Sequence, residues 1–322
     1  MKPGLPVFAD VVAAAARIGP HIVRTPVMRS AAFDARANAQ VFFKCENLQT
    51  GGAFKYRGAM NAVLQLDPAR TPQVITHSSG NHGNALALAA RSRGMRAIVI
   101  VPRDAPRSKI AAIEAAGARV EICEPGLPAR EQRLAEILAR ESAELVHPFD
   151  DVRIIAGQGT AVLELLADVP DLHVVSTPVG GAGLIGGSAL AAKALLPGIR
   201  VVGAEPEQAD DAYQSFRSGE RRAVLAPNTI ADGLRGSIGV RNFELLRSYV
   251  DDVVTVNEAQ IIEAMRVVMN DLKLLIEPSS AVPVAAALAG KLGAPGQRIG
   301  IVLSGGNVDL DLCPFLRGAT LR

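Results

Sequence analysis

The sequence predicts an α/β protein of doubly wound parallel sheets, and three observations carry that reading. Short β-branched runs alternate with Ala- and Leu-rich helical stretches along almost the whole chain, the pattern of a parallel sheet wound with helices. The runs are apolar nearly throughout, as strands become when helices cover both faces. Glycine clusters fall where runs give way to helical stretches, which is where open α/β sheets hold their ligands. At roughly 150 residues per domain, the 322 residues make about two such units.

In chain order, the strand-like runs are 41–45, 74–76, 97–101, 119–122, 145–146, 174–177, 200–204, 252–256 and 299–303. Helical spacing of apolar residues marks 85–93, 109–116, 130–141, 160–168, 184–195 and 258–272 between them. Gly94, Gly117 and Gly198 each follow a helical stretch, where a left-handed end residue costs glycine least. Two glycine-rich crossings, at 51–52 and 157–159, bracket four strand–helix units. The expectation is a small mobile domain over 74–149, inserted into a large one made of 1–73 and 150–322.

Hydrophobic residues make up 49% of the chain and charged residues 20%, with a net charge of +2. That balance excludes a disordered polypeptide. No Lys/Arg block stands out and aromatics are only 4%, which excludes a strongly basic nucleic-acid binder. Cys45, Cys123 and Cys313 are far apart and odd in number, so a reducing compartment is expected rather than a disulfide framework or a zinc site. The N-terminus carries Pro3, Pro6 and Asp10 instead of a basic start and an apolar run, and no stretch approaches the ~20 apolar residues of a membrane span. These features predict a cytoplasmic protein with no membrane or nucleic-acid partner.

Four segments carry candidate chemistry. Residues 51–58 read Gly-Gly-Ala-Phe-Lys-Tyr-Arg-Gly. Desolvation of Lys55 and the neighbouring Arg57 would both lower its pKa, toward the free amine that a Schiff base needs. An ordinary surface lysine fits that stretch as well. Residues 78–83 read Ser-Ser-Gly-Asn-His-Gly between a strand and a helix, so the Ser78 and Ser79 hydroxyls, the Asn81 amide and backbone N–H groups suit an anion. An N-cap at Ser79 explains part of this, and His82 by itself reads as structural. Residues 179–187 read Val-Gly-Gly-Ala-Gly-Leu-Ile-Gly-Gly, a turn whose amides can reach a phosphate at the positive end of the next helix. Residues 304–307, Ser-Gly-Gly-Asn, follow an apolar strand, where a hydroxyl can hydrogen-bond a ring nitrogen. Together they suit an aldehyde cofactor that carries a phosphate.

A competing pattern overlaps the third segment. Gly181, Gly183 and Gly186 form a dinucleotide fingerprint, with Glu205 ending the next strand about 20 residues later. A nicotinamide-dependent oxidoreductase is therefore the alternative, although it leaves the other three segments unused.

The four segments, in this order, resemble the pyridoxal-phosphate (PLP) enzymes of the second fold type, the tryptophan-synthase-β-like fold. Within them the likeness is to the serine/threonine dehydratase and serine racemase family. It runs from Arg24-Thr-Pro26 through Lys44-Cys-Glu-Asn47 to Ser304-Gly-Gly-Asn-Val-Asp309. The resemblance implies two doubly wound parallel-sheet domains with the active site in the cleft between them. Lys55 would hold PLP and act as base at the substrate α-carbon, with Phe54 near the ring and Asn81 on the phenolic oxygen. Amides of Gly180, Gly181, Gly183 and Leu184 would cradle the phosphate, with Ala182 where the family usually has glycine. Ser304 would face the pyridine nitrogen, Gly233 the cofactor's face and Glu277 its ring edge. Ser78, Ser79, Asn81, His82 and Arg130 would receive the substrate carboxylate, and Ser79 would be a second base opposite Lys55.

A neutral Ser304 favours a protonated ring less than a carboxylate would, which suits loss of a β-hydroxyl. The activity implied is dehydration of L-serine or L-threonine to a 2-oxo acid and ammonia, with serine racemisation as a companion and 3-hydroxyaspartate as the alternative substrate. The resemblance also implies Glu205, the Ala209 carbonyl and Asp211 as ligands of Mg2+, or of Ca2+ or Mn2+ in its place. Such oxygen ligands suit a hard cation, though without the resemblance they read as an acidic helix start. A homodimer is implied as well. The chain stops soon after residue 309, which predicts no effector domain and a catabolic role.

Overall fold

The apolar runs form strands covered on both faces: every residue of the strands Gln73–His77 and Val174–Pro178 is buried. The computed structural model describes residues 4–223 and 227–310, and Cys313 lies outside them. One sheet takes β1 (Val27–Met28), β2 (Gln40–Lys44), β7 (Val174–Pro178), β8 (Arg200–Pro206), β9 (Asp252–Val256) and β10 (Arg298–Val302) in the order β1-β2-β10-β7-β8-β9. Within it only the β1–β2 pair is antiparallel. The second, wholly parallel, takes β3 (Gln73–His77), β4 (Arg96–Pro102), β5 (Arg119–Cys123) and β6 (Glu144–Leu145) in the order β5-β4-β3-β6.

The helices are α1 (Phe8–Ile18), α2 (Ala31–Ala37), α3 (Lys55–Val63), α4 (Asn81–Ser92), α5 (Arg107–Ala115), α6 (Leu127–Leu138), α7 (Val152–Asp168), α8 (Gly183–Leu195), α9 (Asp211–Ser218), α10 (Val240–Tyr249), α11 (Glu258–Leu272) and α12 (Pro278–Leu288). Gly94 and Gly117 end helical stretches with φ of +67° and +96°. Gly198 does not take the left-handed conformation, so that expectation is corrected.

A second correction concerns Gly157 and Gly159, which lie inside α7 rather than at a crossing. A Cβ on Gly157 would stand 2.6 Å from the Gly58 Cα, and one on Gly159 2.5 Å from the Gly187 carbonyl oxygen. These glycines exist for the close approach of α3 and α8, not for a turn.

Strand order decides where the chemistry gathers. Strands β2, β10, β7 and β8 are neighbours, about 4.8 Å apart, so the segments that leave their carboxyl ends open side by side. The amide of Phe54 donates to the Ser304 carbonyl at 2.9 Å, and that of Gly306 to the Gly52 carbonyl at 2.9 Å. The lysine segment and the strand-end hydroxyl are thereby stitched together. Replacing Gly159 by Ala should lower stability by about 1–3 kcal/mol through overpacking, read as a lower urea midpoint. An unchanged midpoint would mean the α7–α8 crossing relaxes freely.

Candidate active site

Lys55 opens α3, and its ammonium donates to the Pro148 carbonyl at 3.0 Å. The Phe54 ring centroid lies 5.1 Å from the same nitrogen. Burial lowers the Lys55 pKa from 10.5 to about 8, while the Glu277 carboxylate pulls the other way. Arg57, expected to help lower it, does not. Its buried guanidinium bonds Glu46 at 2.7 and 2.8 Å and Glu164 at 2.8 Å through each of two nitrogens. Lys44 joins the cluster at 2.6 Å from Glu164. Two carboxylates compensate the two cations, so the lysine feels loss of water rather than a bare neighbouring charge.

The turn from β7 to α8 is shaped by close approach. A Cβ on Gly181 would stand 2.2 Å from the Phe149 ring, one on Gly180 3.0 Å from the Leu234 Cα, and one on Gly183 3.0 Å from the Phe149 carbonyl oxygen. Asn242 Nδ2 donates to the Gly181 carbonyl at 2.6 Å and the Phe149 carbonyl at 3.0 Å. Ala182 takes φ +63° as the cap of α8, at a cost of about 1–2 kcal/mol for a residue with a Cβ. The first turn of α8, Gly183 and Leu184 included, leaves amides without a partner inside the helix, at its positive end.

Across from this turn, β3 leads into residues 78–82. Gly80 caps α4, which starts at Asn81, so Ser79 is not the cap. The Ser78 hydroxyl accepts only a long bond from the Gly80 amide, 3.4 Å, and the Ser79 hydroxyl has no partner among the described residues. The Asn81 amide nitrogen donates to both Glu277 oxygens at 2.9 and 3.0 Å, and its carbonyl accepts from Asn307 at 2.9 Å. Asn81 therefore bridges the two sheets. Glu277 is buried, which raises its pKa, and the Asn81 bond opposes the rise. The Gly233 amide donates to Ser279 at 3.1 Å.

His82 is buried, with Nε2 3.2 Å from the Val146 carbonyl and Nδ1 unpartnered. Burial, then the charge of Lys55, hold its pKa well below the usual imidazole value. His147, at about 4, is lowered first by burial as well. The His147 ring stands edge-on to His77 at 5.5 Å and to Phe149 at 4.6 Å. The Arg130 side chain makes no hydrogen bond or ion pair among the described residues, and its Nε is buried. After burial, its charge is the next cause that lowers His77, the residue just before Ser78.

Sequence reasoning missed Pro148, Phe149 and Asn242, which hold the lysine and the glycine turn. They reach the site through long-range contacts and stand in no motif of their own. Asn307 was quoted within its motif, without a role.

A profile of the family described as pyridoxal-phosphate dependent enzyme matches residues 18–305. The chain belongs to that family. It is 44% identical over 312 residues to the β-hydroxyaspartate dehydratase of Paracoccus denitrificans, covering 97% of this chain and 99% of that protein. It is 47% identical over 300 residues to the serine racemase of Arabidopsis thaliana, with 91% of each covered. The structure of maize serine racemase superposes with a TM-score of 0.93 at 42% identity over 95% of each chain.

The residues present fit the family's cofactor. A desolvated amine, a turn whose Gly180, Gly181 and Gly183 leave no room for a Cβ, and the buried Ser304 open on one edge. The dinucleotide alternative fails at Glu205, which is fully buried and accepts amides of Ala212 and Tyr213 at 3.2 and 2.7 Å. No helix of the described residues is long and apolar enough to cross a membrane.

Beside β8, Glu205 and Asp211 form a buried acidic pair. Asp211 Oδ2 accepts the Ile238 amide at 2.7 Å, and Oδ1 is buried without a partner. Among the described residues no cluster of three or more His, Cys, Asp or Glu side chains could hold a metal ion, so a cation here would rely on two carboxylates and a carbonyl.

Burial raises Asp211 from 3.8 to about 6, and burial, then the charge of Asp211, hold Glu205 well above the usual carboxylate range. The folded chain then holds these protons more tightly than the unfolded one. Stability should fall as pH rises from about 4 through about 6, by up to about 3 kcal/mol for Asp211. In chelator the Tm should drop across that window, and Mg2+ or Ca2+ at neutral pH should restore it. A Tm indifferent to either cation would contradict a metal site.

Proposed function

We propose that this chain is a PLP-dependent dehydratase of small β-hydroxy amino acids, turning L-serine or L-threonine into a 2-oxo acid and ammonia, with serine racemisation as a companion activity. The observation that carries this reading is the Lys55 amine, desolvated and held by a carbonyl, on a segment bonded to Ser304 at the sheet edge from which the glycine turn also leaves. Relatives named for β-hydroxyaspartate dehydration and serine racemisation support the substrate class.

Bound at this site, PLP would supply the sink for electrons released at the substrate α-carbon. Lys55, Phe54, Gly233, Glu277 and Ser304 would hold its ring, and residues 180–184 its phosphate. Lys55 Nζ takes the α-proton, which its low pKa permits near neutrality. Ser78, Ser79, Asn81 and the residue 80–82 amides receive the α-carboxylate, and neutral His82 keeps a second cation away from the amine. The reading includes closure of a mobile domain, 74–149, over a large one of 1–73 and 150–322. It also takes the enzyme as a cytoplasmic homodimer with Mg2+, Ca2+ or Mn2+ on Glu205, Ala209 and Asp211.

One observation favours a second substrate. Among the described residues the half-buried Arg130 side chain has no anionic partner, and a guanidinium left unpaired is suited to a carboxylate. A 3-hydroxyaspartate would bring that second carboxylate.

The test is a substrate panel of L-serine, D-serine, L-threonine and the 3-hydroxyaspartate isomers, scored for keto acid and for enantiomer. Ser79→Ala should cut D-serine turnover and racemisation by about 10²–10⁴, the usual worth of a general base, and spare L-serine dehydration. Equal loss of both would contradict the role of Ser79, and no keto acid from any substrate would contradict the proposed function.

A further inference from the structure

The first turn of α5 reaches across the cleft at two points. Lys109 is ion-paired with Asp232, and the Ser108 hydroxyl donates to Asp309 at 3.3 Å. Helix α5 follows β4 of the four-stranded sheet, whereas Asp232 and Asp309 belong to segments around the six-stranded sheet. Both recipient segments run back into the site. Asp232 precedes Gly233, whose amide is held by Ser279, and Asp309 lies five residues past Ser304. Lys109 also faces the Glu277 carboxylate and the Arg235 guanidinium. Arg235 is committed to the Thr229 carbonyl at 2.6 and 3.1 Å, which leaves Lys109 to Asp232.

We propose that Lys109 and Asp232 are positioning residues, whose ion pair, backed by Ser108 and Asp309, holds residues 78–82 over Lys55 and sets how firmly the site shuts on its substrate. The pair joins two sheets that can part only by breaking it. Its side chains are 29% and 39% exposed. A pair in such a setting biases an equilibrium by up to about fivefold, enough to tilt closure without preventing product from leaving. The inference rests on the proposed function only for the choice of substrate.

The test compares wild-type holoenzyme with Lys109→Ala, Asp232→Asn and the charge swap Lys109→Asp/Asp232→Lys. KM and kcat are measured with whichever amino acid the wild type turns over. Acrylamide quenching of bound-cofactor fluorescence is measured without substrate. Both single variants should stay yellow, raise KM about three- to fivefold with kcat within about twofold, and quench more readily. The swap should recover both properties, which a general loss of packing would not. Unchanged quenching in a yellow Lys109→Ala protein, or losses that simply add in the swap, would overturn the clasp. A colourless wild type would instead overturn the proposed function.

Discussion

The site depends on one amine being taken out of water without a carboxylate to hold it. Lys55 opens α3 and meets a neutral acceptor, the Pro148 carbonyl, at 3.0 Å. The nearby carboxylate, Glu277, is diverted to Asn81 across the cleft. A direct Lys–Glu pair here would favour the ammonium and remove the nucleophile. The chain instead keeps the amine near a pKa of 8, and condensation with an aldehyde would relieve the cost of burying its charge.

That arrangement needs a rigid floor, and the buried cluster of Lys44, Glu46, Arg57 and Glu164 provides it. The four charges come from β2, the turn after it, α3 and α7, and balance within the cluster. Breaking one pair would leave a buried charge exposed to its neighbours, which is far costlier than the pair is stabilising. The same cluster fixes the first turn of α3, and with it the direction in which Lys55 leaves the helix. On the facing side, Asn81, Glu277 and Asn307 tie the 78–82 loop to the lysine segment, since Asn307 also donates to the Gly51 carbonyl at 2.8 Å. Substrate-facing and cofactor-facing parts therefore share one hydrogen-bond network.

Much of this could be read from sequence where chemistry is local. Parallel strands gave clear apolar runs because both of their faces are covered, and the four candidate segments lie at strand ends. Helix starts were read late where the first turn is polar: α4 begins at Asn81 rather than at residue 85, since Asn-His-Gly-Asn has no apolar periodicity. The first half of α7 was lost because glycine has two uses, and in Gly157 and Gly159 it serves helix contact. Arg57 was misjudged because its compensating Glu164 is 107 residues away. Phe149 and Asn242 stayed invisible for a similar reason. Asn242 works through a side-chain amide that holds two distant carbonyls, a relation that no spacing encodes.

The most direct measurement is borohydride reduction of the purified yellow protein, followed by proteolysis and mass spectrometry of the lysine-containing peptides. The account predicts a reduced phosphopyridoxyl group on the peptide that carries Lys55. Modification of another lysine instead, or a protein with no reducible chromophore, would contradict it.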